Sequence, residues 1–468
     1  MMSHDFHPTV LREYDIRGVI GETLGPDDAR AIGRAFASLL REAGGKRVAV
    51  GYDGRVSSPI LEHALVEGLT ASGCDVVRIG MSATPMLYYA EASDDQVDGG
   101  IQITGSHNPA NYNGFKMVFQ GRPFFGQDIQ LLGKLAATGA WADGTGTVET
   151  REVLPAYIDR LLEGLAGIDG DSLAGLRVGW DAGNGAAGPA LEALAARLPG
   201  EHHLLYTDVD GNFPNHHPDP TVEENLADLK QLVADKNLDF GVAFDGDGDR
   251  IGAIDGQGRV IWGDQLLMIY AEDLLSRTHG ATIIADVKAS RALFDHVAAH
   301  GGTPLMWKTG HSLIKSKMKE VHSPLAGEMS GHVFFADEYY GYDDALYAGV
   351  RLIAAAARLG KSVTQLRSDM PAMINTPEMR FQVDEIRKFP VIDEVKARLS
   401  GTDANVNDID GVRVNTADGW WLLRASNTQD VLVARAESDS EAGLARLMDQ
   451  IDAQLAASGL ARGPQAGH

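Results

Sequence analysis

Residues 46–58 read KRVAVGYDGRVSS. An apolar run ends in Asp53 and a loop of small residues; LEHALVEGLTASG (61–73) then has helical spacing, and CDVVRIG (74–80) is strand-like again. The pattern returns over 176–209 as LRVGWDAGNGAAG, PALEALAARL and HHLLYTDV, and over 281–312 as ATIIADVKAS, RALFDHVAAHGG and TPLMWKTGHS. Short β-rich runs alternating with helical periods read as βαβ units around a parallel sheet. Asp53, Asp181 and Asp286 hold the same place in the three copies, just past the carboxyl end of a strand, where open α/β sheets build their sites. The copies are spaced too widely for solenoid repeats and read as repeated domains.

The last part of the chain differs. PEMRFQVDEIRKFPVIDEVKARLSG is a strand followed by a helix, DGVRVNTADGWWLLRASN and DVLVARAES are hairpin-like strands around the turn TADG, and EAGLARLMDQIDAQLAAS is a closing helix. Strands joined by turns with helices to one side predict a smaller α+β domain. The expected divisions are 1–150, 151–256, 257–370 and 371–468, with GLARGPQAGH as an unstructured tail.

Composition narrows the function. The chain has 468 residues, 44% of them apolar, and a formal net charge of −24. That charge argues against nucleic acid, whose binding needs clustered Lys and Arg. The single cysteine, Cys74, makes no internal disulfide and reads as a small core residue. The opening MMSHDFHPTVLREYD lacks a basic segment followed by an apolar one, and no apolar run approaches the ~20 residues of a membrane helix. A soluble cytoplasmic protein is the expectation; the oligomeric state, a monomer included, is left open. An acidic protein that binds an anion must gather its cations locally.

Four segments carry candidate chemistry. ITGSHNPANYNGFKM (103–117) is a Gly/Asn/Pro-dense loop holding Ser106, His107, Asn108 and Lys116. A serine beside a histidine and a lysine reads as a nucleophile in a cationic setting; on local evidence it reads equally as a turn whose Ser and Asn cap the backbone. FGVAFDGDGDRIG (240–252) ends a strand in Asp245, Asp247 and Asp249. The intervening glycines let three carboxylates converge on one hard cation. An EF-hand fails, because Arg250 and Gly256 stand where that loop needs Gly and Glu. With Arg250 alongside, the better reading is a site where Mg²⁺ shares a phosphoryl oxygen with the protein.

LAGEMSGHVFF (325–335) presents Glu328, Ser330 and His332 at alternating positions, which suits sugar hydroxyls, although on local evidence a plain polar loop is the better reading. WLLRASNTQDVLV (421–433) interrupts two apolar strands with Arg424, Ser426, Asn427 and Thr428, a compact donor set for phosphate. Lys288 and His311 sit at strand ends where sites form, and Tyr14 and Arg17 of REYDIRG are candidates for the cation cluster. His202, His203, His216 and His217 read as exposed loop residues. DAGNGAAGPA has G-x-G-x-x-G spacing, so a dinucleotide-binding domain is a rival, but it leaves the aspartates and the serine loop without a role.

Together YDIRG, TGSHNP with NGFK, DGDGDR, KTGHS, GEMSGH and RASNT, in this order along nearly the whole chain, resemble the α-D-phosphohexomutases, most closely their bacterial phosphomannomutase/phosphoglucomutase branch. The resemblance implies three domains of shared mixed α/β topology and a C-terminal α+β domain like the TATA-binding protein. It implies an isomerase that interconverts hexose 1- and 6-phosphates of mannose or glucose through a phosphoserine at Ser106 and a 1,6-bisphosphate. Mg²⁺ would be held by Asp245, Asp247, Asp249 and a phosphoserine oxygen, with glucose or mannose 1,6-bisphosphate as priming activator.

By the same resemblance Arg17, His107 and Lys116 would settle charge and protons, and Tyr14, Arg250, Lys288 and His311 would line the substrate region. Glu328, Ser330 and His332 would grip the sugar, and Arg424, Ser426, Asn427 and Thr428 the phosphate that is not transferred. The aminosugar branch typically shows GEQSGH and RPSGT, so Met329, Ala425 and Asn427 point away from it. Gln429 and Asp430 after Thr428, and Ala110 after HNP, depart from the family pattern. A phosphatase using the same serine and metal, or a phosphosugar sensor without turnover, would carry similar loops.

Overall fold

The computed structural model describes residues 3–427 and 429–463. Thr428 and the end of the expected tail, 464–468, lie outside the described residues.

Each copied segment forms the middle of a sheet. The strands Arg47–Tyr52, Arg177–Asp181 and Thr282–Asp286 each lead through a helix to a parallel neighbour, Asp75–Met81, Glu201–Leu205 and Thr303–Trp307. On its other side each pairs in parallel with a later strand, Gly99–Ile103, Phe240–Phe244 or Leu325–Gly327. Each of those turns back into an antiparallel strand: Tyr112–Phe119, Ile251–Asp255 or Val333–Phe335. The sheets are therefore mixed, not wholly parallel as the βαβ pattern alone implied. The antiparallel return follows from short connections, since a parallel partner needs a long crossover. These three returns carry Lys116, the aspartate loop and the GEMSGH loop, so one topological feature delivers chemistry from three units.

The second sheet extends past residue 256 through the strand Val260–Ile261, paired with Ile251–Asp255. The division expected at 256 therefore falls between strands of one sheet. His202 and His216 also differ from expectation. His202 lies on a strand and accepts a hydrogen bond from Trp180 Nε1 at 3.0 Å. The His216 ring meets Asp181 Oδ2 at 2.9 Å. Each half-buried ring answers a buried polar group that needed a partner.

The apolar cores show how the units join. One cluster runs through the second and third units and takes in Met86, Leu87 and Tyr88 of the first. The helix Ala345–Leu359 crosses this seam, and a Cβ on its Gly349 would sit 2.9 Å from the Trp180 ring. The first unit keeps a second core of its own.

The fourth unit is an antiparallel sheet in which Val431–Ser438, Gly419–Ala425, Val412–Thr416 and Asn405–Asn407 lie side by side. The helices Glu385–Leu399 and Glu441–Ala457 accompany it. It docks on the third unit through a small cluster of Val287, Trp420 and Leu422 and through a buried arginine. Arg413 donates to the carbonyls of Val287 (2.6 Å) and Ala289 (2.7 Å), with its guanidinium carbon 3.6 Å from the Trp420 ring centre. Burial pulls its pKa down to about 9, which leaves it charged at neutral pH.

Arg413→Ala should strip two buried carbonyls of their donor, at a cost of about 2–3 kcal/mol in docking. Calorimetry should then resolve a separate, earlier transition for the fourth unit, and thermolysin should cut faster before Met373 and Ile374 in the connection. A single unshifted transition would place the anchor elsewhere.

Candidate active site

The turn between Gly99–Ile103 and Tyr112–Phe119 carries Ser106. Its φ is +49°, in the left-handed region, which costs a residue with a side chain about 1–2 kcal/mol. Arg55 holds the turn in that shape. Fully buried, it donates to the carbonyls of Ser106 (2.8 Å), Asn108 (2.6 Å), Pro109 (2.6 Å) and Tyr112 (2.9 Å). Asp53 steadies the arginine: its Oδ2 accepts from Arg55 Nε at 3.2 Å and from the Gly105 amide at 3.1 Å. A Cβ on Gly105 would lie 2.4 Å from the guanidinium carbon, so only glycine lets the arginine through.

The three aspartates follow Phe240–Phe244, and all are 0% exposed. Gly246 admits the serine loop, because a Cβ there would be 2.5 Å from the Ser106 carbonyl oxygen. Ser106 Oγ donates to Asp245 Oδ2 at 2.8 Å, and His107 Nδ1 lies 3.2 Å from Oγ. Lys116 reaches from the neighbouring strand to Asp247 Oδ2 at 2.8 Å and also bonds Asp249. Thr84 donates its hydroxyl to Asp247 Oδ2 at 2.5 Å and its amide to the Asp247 carbonyl at 2.8 Å.

Burial pushes the Asp245 carboxyl well above the usual range, and the charges of Asp247 and Asp249 add to this. Burial also raises Asp249, helped by Asp247. Asp247 goes the other way: Lys116 and the hydrogen bonds it accepts outweigh burial. Burial works against the Lys116 ammonium too, but the carboxylates hold its pKa above the ordinary lysine value.

The cluster fits a cation. One oxygen of each aspartate lies within 4.8 Å of the others, and the buried Asp247 Oδ1 and Asp249 Oδ1 have no hydrogen-bond partner. Three carboxylates against the Lys116 ammonium and the Arg250 guanidinium, whose Nε lies 3.9 Å from Asp245 Oδ2, leave net negative charge for a hard divalent ion to balance.

A cleft of about 460 Å³ opens above this floor, and its walls come from all four units. Ser106, Arg17, His107, Lys116, Tyr14, Arg250, Lys288, His311, Glu328, Ser330, His332, Arg424, Ser426 and Asn427 all line it. Every sequence-predicted residue outside the aspartate floor is thus brought to one place, except Thr428, which lies outside the described residues. Arg250 Nε donates to His332 Nε2 at 3.1 Å, while His332 Nδ1 lies 2.9 Å from Asp343 Oδ2. Glu328 Oε1 accepts from the Gly310 amide at 2.6 Å. Burial holds His107 well below the usual histidine range, with Arg250 and Arg17 adding to the effect, so it is neutral at pH 7.

The units meet at Thr309. Tyr14, from the first unit, donates to the Thr309 carbonyl at 2.8 Å and accepts from Asn427 Nδ2, in the fourth, at 2.5 Å. Asp410 Oδ2 accepts from both the Thr309 amide (3.0 Å) and Arg424 Nε (3.1 Å). The Lys288 ammonium lies 2.9 Å from Glu378, which also takes Arg380 Nε at 3.0 Å.

The sequence reading missed several of these partners. Arg55 sits in the first quoted stretch, two residues past the strand-end acid, and that adjacency was its only signal. Asp343, Glu378, Arg380 and Asp410 lie in segments with no local pattern, and only the approach of distant strands brings them to the cleft.

Arg55→Lys keeps the charge but loses the planar fork, so it cannot serve four carbonyls. Amide hydrogen exchange across 104–113 should speed up at least tenfold while the aspartate hairpin keeps its protection. Unchanged exchange in that loop would show that other contacts hold it.

Four family models cover the chain in order. Phosphoglucomutase/phosphomannomutase alpha/beta/alpha domain I matches residues 8–140, domain II 155–258, domain III 262–373, and the C-terminal domain 378–454. A phosphomannomutase/phosphoglucomutase from Pseudomonas putida is 45% identical over 447 residues, 96% of this chain and 95% of its own. A phosphoglucomutase from Neisseria gonorrhoeae is 41% identical over 450 residues, 95% of this chain and 96% of its own. Among solved structures, a phosphoglucomutase/phosphomannomutase family protein from Burkholderia thailandensis superposes with a TM-score of 0.90 at 45% identity, over 99% of both chains. The repeated sheets, the serine and aspartate loops and these matches over nearly the full length agree: the chain belongs to the phosphoglucomutase/phosphomannomutase family of α-D-phosphohexomutases.

Proposed function

We propose that this protein interconverts hexose 1-phosphate and hexose 6-phosphate, with glucose and mannose as the hexoses, through a phosphoryl group carried on Ser106. The observation that carries this reading is the Ser106 hydroxyl, held 2.8 Å from Asp245 at the floor of a cation-walled cleft. A free serine hydroxyl is a poor nucleophile, and storing the group on it divides one migration into two in-line transfers. In the first, the bond from phosphorus to Ser106 Oγ breaks as one to the free sugar hydroxyl forms, giving a 1,6-bisphosphate. The hydroxyl proton needs an acceptor, and neutral His107 beside Oγ supports such a role. In the second, the other phosphate returns to Ser106 after the sugar has turned around. A dephosphorylated enzyme regains its phosphoryl group from glucose or mannose 1,6-bisphosphate.

Asp245, Asp247 and Asp249 would hold Mg²⁺, which when bound would neutralise charge on the group in transfer. Arg17 and Lys116 add fixed positive charge at the same end of the cleft. Glu328, Ser330 and His332 meet the sugar ring. With Glu328 and Ser330 on O3 and O4, which glucose and mannose present alike, little remains to distinguish the two at C2. Lys288, His311, Tyr14 and Arg250 complete the substrate wall. Arg424, Ser426, Asn427 and Thr428 hold the phosphate that is not being transferred, with Arg424 offering a two-pronged grip.

The resting enzyme should carry phosphate on Ser106, visible by intact mass and a phosphopeptide map. Ser106→Ala should fold normally and lose nearly all turnover of both glucose and mannose 1-phosphates in magnesium, and chelation should silence the native enzyme. Substantial activity in either case sinks the assignment.

The fourth unit acts as a clamp that closes on the substrate phosphate. Tyr14, Thr309, Asn427 and Asp410 support this, because they join three units at the cleft rim through only a few polar contacts. Opening frees the bisphosphate to turn, and reclosing captures its other end. Arg424→Ala should raise KM at least tenfold while Ser106 stays phosphorylated, and Arg424→Lys should recover part of the loss. Small-angle scattering with a non-reacting phosphosugar should show compaction in the native protein and less in Arg424→Ala. Equal compaction would move the phosphate anchor elsewhere.

A further inference from the structure

Away from the cleft, two histidines stand one turn apart at the end of the helix Arg291–Ala299: His296 within it and His300 as its C-cap. Positions i and i+4 share a helix face, and the two ring centres are 4.1 Å apart. Glu272, on the adjoining helix Gly263–Arg277, brings Oε2 to 3.5 Å from His296 Nε2. One possible ligand atom from each of the three residues falls within 4.8 Å of the others.

Two further observations point to a guest. His296 Nε2 is buried and has no hydrogen-bond partner, with the Glu272 carboxylate 3.5 Å away. A buried imidazole nitrogen that no hydrogen bond claims, facing a carboxylate and a second imidazole, is arranged as a metal ligand. Beside it lies a cavity of about 20 Å³ lined by Glu272, His296 and Asp369, room for about one water-sized guest.

We propose that Glu272, His296 and His300 form a second cation site, separate from the aspartate floor, that takes Zn²⁺ or a similar transition-metal ion. Two imidazoles and one carboxylate suit Zn²⁺, Co²⁺ or Ni²⁺, whereas the all-oxygen aspartate cluster suits Mg²⁺. Ligand bonds of about 2 Å require the three groups to draw together by about 1 Å. His300 is exposed, and with its Nδ1 2.8 Å from the His296 carbonyl its Nε2 is the atom left for an ion.

Lys361 is the competitor, with its ammonium 3.7 Å from Glu272 and 2.8 Å from Asp369. An ion displaces it from Glu272, and Asp369 lines the cavity beside the site. The cavity also touches Leu366 and Met370, where the helix Val363–Ser368 hands the chain on to the strand Ile374–Asn375 of the fourth unit. A bound ion therefore ties two helices of the third unit to the start of the connection into the fourth.

The test is calorimetric titration of the whole protein with Zn²⁺ in saturating Mg²⁺, which keeps the aspartate floor filled. One Zn²⁺ per chain should bind at micromolar concentration or tighter, and Co²⁺ in its place should give the visible absorption of a low-coordinate nitrogen and oxygen site. His300→Ala, a surface change, and His296→Ala should each weaken Zn²⁺ at least tenfold, whereas Asp247→Asn should leave it unchanged. Absence of Zn²⁺ binding under Mg²⁺, full affinity in His300→Ala, or loss of binding in Asp247→Asn would each overturn the proposal.

Discussion

Burying three carboxylates on one short loop is the constraint to which the rest of the cleft answers. Asp245, Asp247 and Asp249 are fully buried, and two such charges 4 Å apart repel by about 4 kcal/mol at a protein-like effective dielectric. The second unit relieves part of this by itself, through the Asp249 and Arg250 amides, which donate to Asp245 Oδ1 at 3.1 Å, and the Arg250 guanidinium 3.9 Å from Asp245 Oδ2. The rest comes from the first unit, through the Lys116 ammonium, the Thr84 hydroxyl and amide, and the Ser106 hydroxyl. The two units therefore gain most by meeting in the one arrangement that also sets the serine against the cation site. Assembly of the interface and assembly of the chemistry are a single event.

The strand-end aspartates of the three copies do a different job. Asp53 holds Arg55 and the Gly105 amide, Asp181 takes the Gly183 amide and the His216 ring, and Asp286 takes the Met329 amide and the Thr309 hydroxyl. None of the three reaches the metal cluster. A carboxylate at the carboxyl end of a central strand faces loops that leave the sheet with unsatisfied amides, and it satisfies them. The three units share this anchor, and the candidate chemistry sits on loops that differ between them.

Net charge and local charge point in opposite directions. The chain carries −24 overall, yet Arg17, Arg250, Lys288, Arg380 and Arg424 face one cleft. Most have an acid behind them: Asp15 for Arg17, Glu378 shared by Lys288 and Arg380, and Asp410 for Arg424. These acids aim the cations before any anion arrives, so little reorganisation remains when a phosphate enters. The surrounding negative surface leaves the cleft as the place where an anionic sugar is welcome.

The sequence by itself determined the threefold βαβ pattern, the different last unit, and the loops that hold the serine, the aspartates and Arg424. These were legible because strand and helix periods, Gly-spaced carboxylates and turn chemistry are local properties of neighbouring residues. The antiparallel return of each sheet, the extension of the second sheet to Val260–Ile261 and the partnered state of His202 and His216 were not legible. Nor was the clamp of Arg55 on four carbonyls, or the recruitment of Asp343, Glu378 and Asp410 to the cleft. Those depend on which buried donor ends beside which buried acceptor, and that is decided only when units far apart in sequence pack and each desolvated polar group must find its partner across the seam.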